Sequence, residues 1–243
     1  MGEFSIRQMV GCLRGVPVAQ GKLSLLEDFF GYSSVPRNAD VRAEDISVGV
    51  QAARLRGLHF HLNLILVGEM FPEPRDVLHR MLDNDVAYAR RLLGEVGIGI
   101  GRVKRFRIPQ SDVDGFDELD SGGEASSLWE SWSSPDEYDG IDVFVVRAYQ
   151  GDGDDKGGRS PVDGSCDNDG VDSGLVVVRN GGEANFLHEI GHYLDLDHPD
   201  KDNDPATLND PMRKGASERA SSHFSAEQGE TMRDHCMMRR PCP

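Results

Sequence analysis

The 243-residue chain predicts an α/β (α+β) fold in which strands alternate with helices along a single core. Three observations carry this expectation. Leu58, Phe60, Leu62, Leu64 and Leu66 alternate with other residues, which is the period of a strand. After Pro74, the residues Leu78, Leu82, Val86, Ala89, Leu93 and Val96 recur at helical spacing and form one apolar stripe. The stretch from Ile141 to Tyr149 is apolar on both faces, as expected of a strand inside a sheet.

Residues 1–57 read as helical and irregular. Leu23 to Phe30 and Ala43 to Leu55 are short helix candidates, the second with Asp40 shortly before it and Glu44 in its first turn. This section precedes the first strong strand, so it is expected to be a prosegment or an N-terminal packing extension. Strand 58–67 turns His59, His61 and Asn63 away from its leucines. Two histidines at i and i+2 can bind a metal, but the polar face of a strand needs no metal to explain it. The helix that starts at Pro74 is expected to run to Val96, where Gly94, Gly97, Gly99 and Gly101 break it. Arg102 to Ile108 is the next strand and Glu124 to Trp132 a short helix between loops. An acidic, glycine-rich loop from Gln150 to Ser173 then leads to the strand Leu175–Arg179. Gly181 and Gly182 turn the chain into the following helix.

Composition narrows the function. The length allows a substantial core in one domain. A net charge of −16 excludes nucleic acid as an expected partner, because phosphate binding needs a basic face. No apolar run approaches a membrane span; the most apolar stretch, Leu62 to Val67, is short and contains Asn63. The start, Met1-Gly2-Glu3-Phe4-Ser5, lacks the basic-then-apolar pattern of a signal peptide. A removed leader, residues left from cloning or another export route each agree with that. Cys12, Cys166, Cys236 and Cys242 allow two disulfides in three connectivities. Two bridges suit a secreted, extracellular protein, and reduced cysteines are the alternative. A monomer is expected.

The chemistry is concentrated in His188-Glu189-Ile190-Gly191-His192, an HExxH run, with His198 six residues further on. On an α-helix, His188 and His192 share a face and can reach one metal ion. His198 cannot join them on a straight helix: it would lie about 15 Å from His188 and roughly 80° off the face. The helix must therefore end between His192 and His198 and the chain must turn back. Asp195 is the expected turning point, since Asp tolerates the left-handed conformation better than most residues. Three protein nitrogens leave one zinc position open for water, as in catalytic sites.

Downstream stand Asn209-Asp210-Pro211-Met212, then His223-Phe224-Ser225-Ala226-Glu227-Gln228 and Met232-Arg233. With these, residues 183–235 resemble the metzincin clan of zinc peptidases, matrixin-like or pappalysin-like members in particular. The resemblance implies that His188, His192 and His198 hold zinc, that Glu189 is the general base, and that Met212 is the Met-turn residue under the metal. It implies a mixed, mostly parallel twisted sheet with a long backing helix and an active-site helix. A small C-terminal subdomain follows the third histidine: residues 58–198 above and 199–243 below within a catalytic domain of 58–243. Asp195 replaces the glycine of the clan motif. The tyrosine that some of these families carry just after the methionine is missing, since Tyr193 is the last tyrosine.

By the same resemblance, 174–179 is the edge strand, and an extended protein or peptide substrate pairs with it antiparallel. Matrixins hold calcium and a second zinc in the equivalent of the acidic loop. No histidine lies between His79 and His188, which excludes that second zinc. For calcium, Asp167, Asn168, Asp169 and Asp172 are the densest group, to which Asp152, Asp154, Asp155 and Asp163 can contribute, and Asp200, Asp202, Asn203 and Asp204 are a sparser one, against the alternative of a solvated loop. Cys12, in Gly11-Cys12-Leu13-Arg14-Gly15-Val16-Pro17, loosely resembles the matrixin prosegment cysteine that blocks zinc. The internal spacing differs, so a disulfide or buried thiol is the main reading.

The expected activity is that of a zinc metalloendopeptidase: Glu189 takes a proton from a metal-bound water and passes it to the leaving amine. The alternatives are a zinc hydrolase of a non-peptide amide or ester, and a non-catalytic metal-dependent binding module. Glu189 argues against the last, because metal binding alone does not require it.

Overall fold

The alternation at Leu58 forms a ten-residue strand at the centre of a six-stranded sheet. In the computed structural model the described residues are 42–43, 57–68, 75–132, 140–151, 157–167, 172–199, 207–214 and 222–240. The helix candidate 23–30, residues 44–55 of the other, Cys12, Cys242 and the cluster 200–204 fall outside them.

In chain order the elements are β1 (Arg42–Ala43), β2 (Leu58–Val67), α1 (Arg75–Glu95), β3 (Ile98–Ile108) and β4 (Glu118–Leu119). They continue with α2 (Gly122–Trp132), β5 (Ile141–Val146), β6 (Ala148–Tyr149), β7 (Gly158–Arg159), β8 (Gly174–Val178), α3 (Gly182–Tyr193) and α4 (Ala226–Asp234). The sheet order is β1-β3-β2-β5-β8-β7. The four inner strands are mutually parallel, and the two-residue strands β1 and β7 close the edges antiparallel. The fold is therefore a mixed, mostly parallel sheet, as expected. β4 and β6 form a separate two-stranded parallel sheet.

Helices α1 and α3 cover one face. Leu82, Val86, Ala89 and Leu93 of the expected stripe are buried there together with Leu92, against Phe60, Leu62, Leu64, Leu66 and the α3 residues Phe186, Leu187 and Ile190. The other face is covered as well: Ile65, Val67, Phe144 and Val176 pack on Ala125, Leu128 and Trp129 of α2. Parallel strands are buried on both faces because their crossovers lie on the faces. All six residues of β5 are buried accordingly.

Four expectations change. Ala43 belongs to a strand paired with Lys104 and not to the start of a helix. His59, His61 and Asn63 do not face solvent; His61 and Asn63 are fully buried, and Asn63 donates to Asp142 at 2.8 Å. β3 begins at Ile98, four residues earlier than the glycines suggest. The β2–β3 register shifts between Phe60 and Leu62, and there the Arg102 N–H donates to the side chain of His61 in β2, at Nδ1, over 3.1 Å. A β-carbon on residue 101 would lie 2.7 Å from that same ring, so this glycine makes room inside a strand and breaks no element. Finally, β8 is not an edge strand. Arg159 and Gly158 of β7 pair with Val176 and Val177, so the outer position belongs to β7.

Candidate metal centre

α3 ends in a Schellman arrangement. The Asp195 N–H donates to the His192 carbonyl and the Leu196 N–H to the Gly191 carbonyl, each at 3.0 Å. This closure needs a left-handed residue after the helix, and Asp195 supplies it at φ +70°. The reversal brings His198 back over the helix. The Nε2 atoms of His188, His192 and His198 then form a triangle with sides of 3.1, 3.1 and 3.2 Å.

Each of the first two rings is oriented from behind. His188 Nδ1 lies 2.8 Å from the Pro211 carbonyl, and His192 Nδ1 lies 2.7 Å from the Leu196 carbonyl. A carbonyl only accepts, so each Nδ1 carries the proton and each Nε2 presents a lone pair. Burial, reinforced by the neighbouring His188, lowers the His192 pKa to about 3, so this ring is neutral at ordinary pH. Converging lone pairs repel one another unless a cation lies between them. A tetrahedral zinc with bonds of about 2.0–2.1 Å sets its ligand atoms about 3.3–3.4 Å apart, close to the observed triangle. The donor set fits zinc.

Met212 is fully buried, its sulfur against Gly191 of α3. Glu189, adjacent to His188 in α3, is 5% exposed, and its side chain lies along Gly158 of β7. A β-carbon on residue 158 would come within 2.8 Å of the Glu189 side chain. The edge strand thus runs directly past the carboxylate.

No protein-family model and no curated protein sequence matches the chain. Among solved structures the fold is similar to archaemetzincin from Methanopyrus kandleri, at 15% identity over 73% of this chain and 95% of that one, with a TM-score of 0.47. It is also similar to metalloproteinase-II from Bacteroides fragilis, at 15% identity over 74% of this chain and 53% of that one, with a TM-score of 0.45. The zinc reading rests on the imidazole geometry described above.

The sequence-predicted groups separate into two sets. His188, His192 and His198 come together around one point, while Glu189 lies against Gly158 and Met212 against Gly191. Of the calcium candidates, Asp167 and Asp172 are both exposed, and Asn168 and Asp169 lie outside the described residues. Tyr193 does not fill the place of the missing tyrosine, since its hydroxyl donates to the Ser165 carbonyl at 2.6 Å and its ring is buried.

Several contributors were not legible in the sequence. The Pro211 and Leu196 carbonyls orient two ligands, and backbone atoms carry no residue signature. Asn185 donates to the Gly157 carbonyl at 2.6 Å, holding the start of the edge strand to α3. The segment 163–166 covers the end of α3: the N–H groups of Asp163 and Gly164 donate to the carbonyls of His192 and Tyr193 at 3.1 and 2.9 Å. A disulfide from Cys166 to Cys236 ties that segment to the residues after α4.

Proposed function

We propose that the chain is a zinc-dependent metalloendopeptidase of metzincin type. The observation that carries the reading is the triangle of Nε2 lone pairs from His188 and His192 of α3 and the returning His198, on a helix that also bears the buried Glu189. His188, His192 and His198 would hold the ion. When bound, zinc supplies an acidic water and a Lewis acid for a carbonyl oxygen.

The chain's own residues supply the rest. Glu189, held between α3 and β7, accepts a proton at its carboxylate and returns it to a leaving amine. The backbone of β7 pairs with an extended peptide on the side away from β8, which aligns a peptide bond beside Glu189 with little demand on its side chains. The Cys166–Cys236 disulfide supports action outside a reducing cytosol.

The test is zinc content together with cleavage of casein for wild type, Glu189→Ala and His198→Ala. Glu189→Ala should keep its zinc and lose about 10²–10⁴-fold in rate, and His198→Ala should lose most of its zinc. A wild type without zinc, or a Glu189→Ala protein as active as wild type, would overturn the reading. Ester or amide hydrolysis by the wild type without any new peptide termini would redirect it to a non-peptide substrate.

A further inference from the structure

We infer that Asp210 and Gln228 are positioning residues that fix the Pro211 carbonyl and, through it, the ring of His188. The inference rests on the zinc reading of that ring. Gln228 Nε2 donates to both carboxylate oxygens of Asp210, at 3.0 Å each. Asp210 Oδ1 in turn accepts the Met212 N–H at 2.8 Å. Pro211 sits between these two anchored residues with its φ fixed by its ring, and its carbonyl receives His188 Nδ1 at 2.8 Å. The route from the fourth helix to the first ligand is therefore four hydrogen bonds and one proline.

An Asp before a turn needs only one oxygen to accept the N–H two residues on. Here the second oxygen is engaged as well, by a side chain 18 residues away. That side chain already has a local task. Gln228 Oε1 accepts the Ser225 N–H at 2.8 Å, and Ser225 Oγ accepts the Gln228 N–H at 3.1 Å, a complete capping box on α4. The carbonyl half of the amide caps the helix while the amino half clamps Asp210. Glu would serve the cap equally well, but it would set a second carboxylate against Asp210. The choice of Gln is what the relay requires. The loop has another anchor in the His223 N–H to the Asn209 carbonyl at 3.1 Å, so changing the relay leaves its path tied to the core.

The donor and acceptor can be exchanged, which gives a test with a built-in rescue. Asp210→Asn replaces one of the two acceptors of the Gln228 amino group by a second amino group, and Gln228→Glu sets two carboxylates against each other. The double variant D210N/Q228E restores the hydrogen bond in the opposite sense and leaves both the capping box and the Met212 N–H satisfied. Zinc affinity of the full chain is measured by competition with a chelator at neutral pH, alongside the unfolding midpoint of each metal-free protein. Each single variant should bind zinc about tenfold more weakly or worse, the effect expected when a partner behind a ligand is lost. The double variant should recover most of it. Single variants that bind as wild type does would overturn the relay and leave the zinc reading standing. So would a double variant that regains the wild-type unfolding midpoint but not the affinity. A wild type without zinc would overturn the zinc reading, and the relay with it.

Discussion

The sulfur of Met212 lies in the space that a side chain on residue 191 would occupy. Gly191 is one residue before His192, so the methionine reaches the backbone of α3 between the two helical histidines. Gly191→Ala should therefore destabilise the protein by about 1–3 kcal/mol through overpacking, although Ala is the better helix former by about 1 kcal/mol. Urea unfolding checks the sign. A midpoint equal to or above wild type would mean that Met212 moves aside freely and does not brace the helix.

Asp195 carries the turn that returns His198 to the site, at a backbone angle that glycine adopts without cost. Asp195→Val should lose about 1–2 kcal/mol together with zinc affinity, because the strain falls on the segment leading to His198. Asp195→Gly should keep both. Equal behaviour of the two variants in chelator competition would show that the turn does not set the third ligand.

The Cys166–Cys236 bridge closes a segment with a sequence separation of 70 and secures residues 163–164 over the carbonyls of His192 and Tyr193. Replacing both cysteines by serine should cost on the order of 4 kcal/mol by the loop-closure relation. Denaturant unfolding of the two proteins measures it. An unchanged midpoint would mean that the hydrogen bonds of 163–164 hold the segment without the bridge.

Acid should destabilise the fold through its buried histidines. Burial lowers the pKa of His61 well below the ordinary 6.5, with Arg102 and His59 adding to the effect, and it lowers His59 and His235 in the same direction. The folded state then binds these protons less tightly than the unfolded chain. Stability is full above about pH 6.5 and declines as the pH falls below it, by up to about 1.4 kcal/mol per pH unit for each such histidine. His61→Gln should flatten the dependence of unfolding free energy on pH between about 7 and 5. The same slope in both proteins would assign the acid sensitivity to other groups.

Much of the fold was legible because its signals are local. The leucine alternation of β2 and the helical stripe of α1 are periodicities that one burial pattern explains. What escaped was set by neighbours. His59 and His61 read as a polar face because a strand alone cannot show that its far side is covered. Gly101 read as a breaker because the ring of His61, which needs its space, is 40 residues away in sequence. Gly158 and Arg159 carry no periodicity at all, yet they take the sheet edge from β8.

The sequence by itself determined the donor types, their spacing along α3 and the need for a left-handed residue at Asp195. These follow from 3.6 residues per turn and from the chirality of the backbone. Only the tertiary structure decided that three Nε2 atoms meet within 3.2 Å, and that Pro211 and Leu196 hold two of the rings. It also decided that an amide of α4 clamps the turn that carries Pro211. The reason is physical: a backbone carbonyl is the same group at every position, and only folding determines which one stands behind an imidazole.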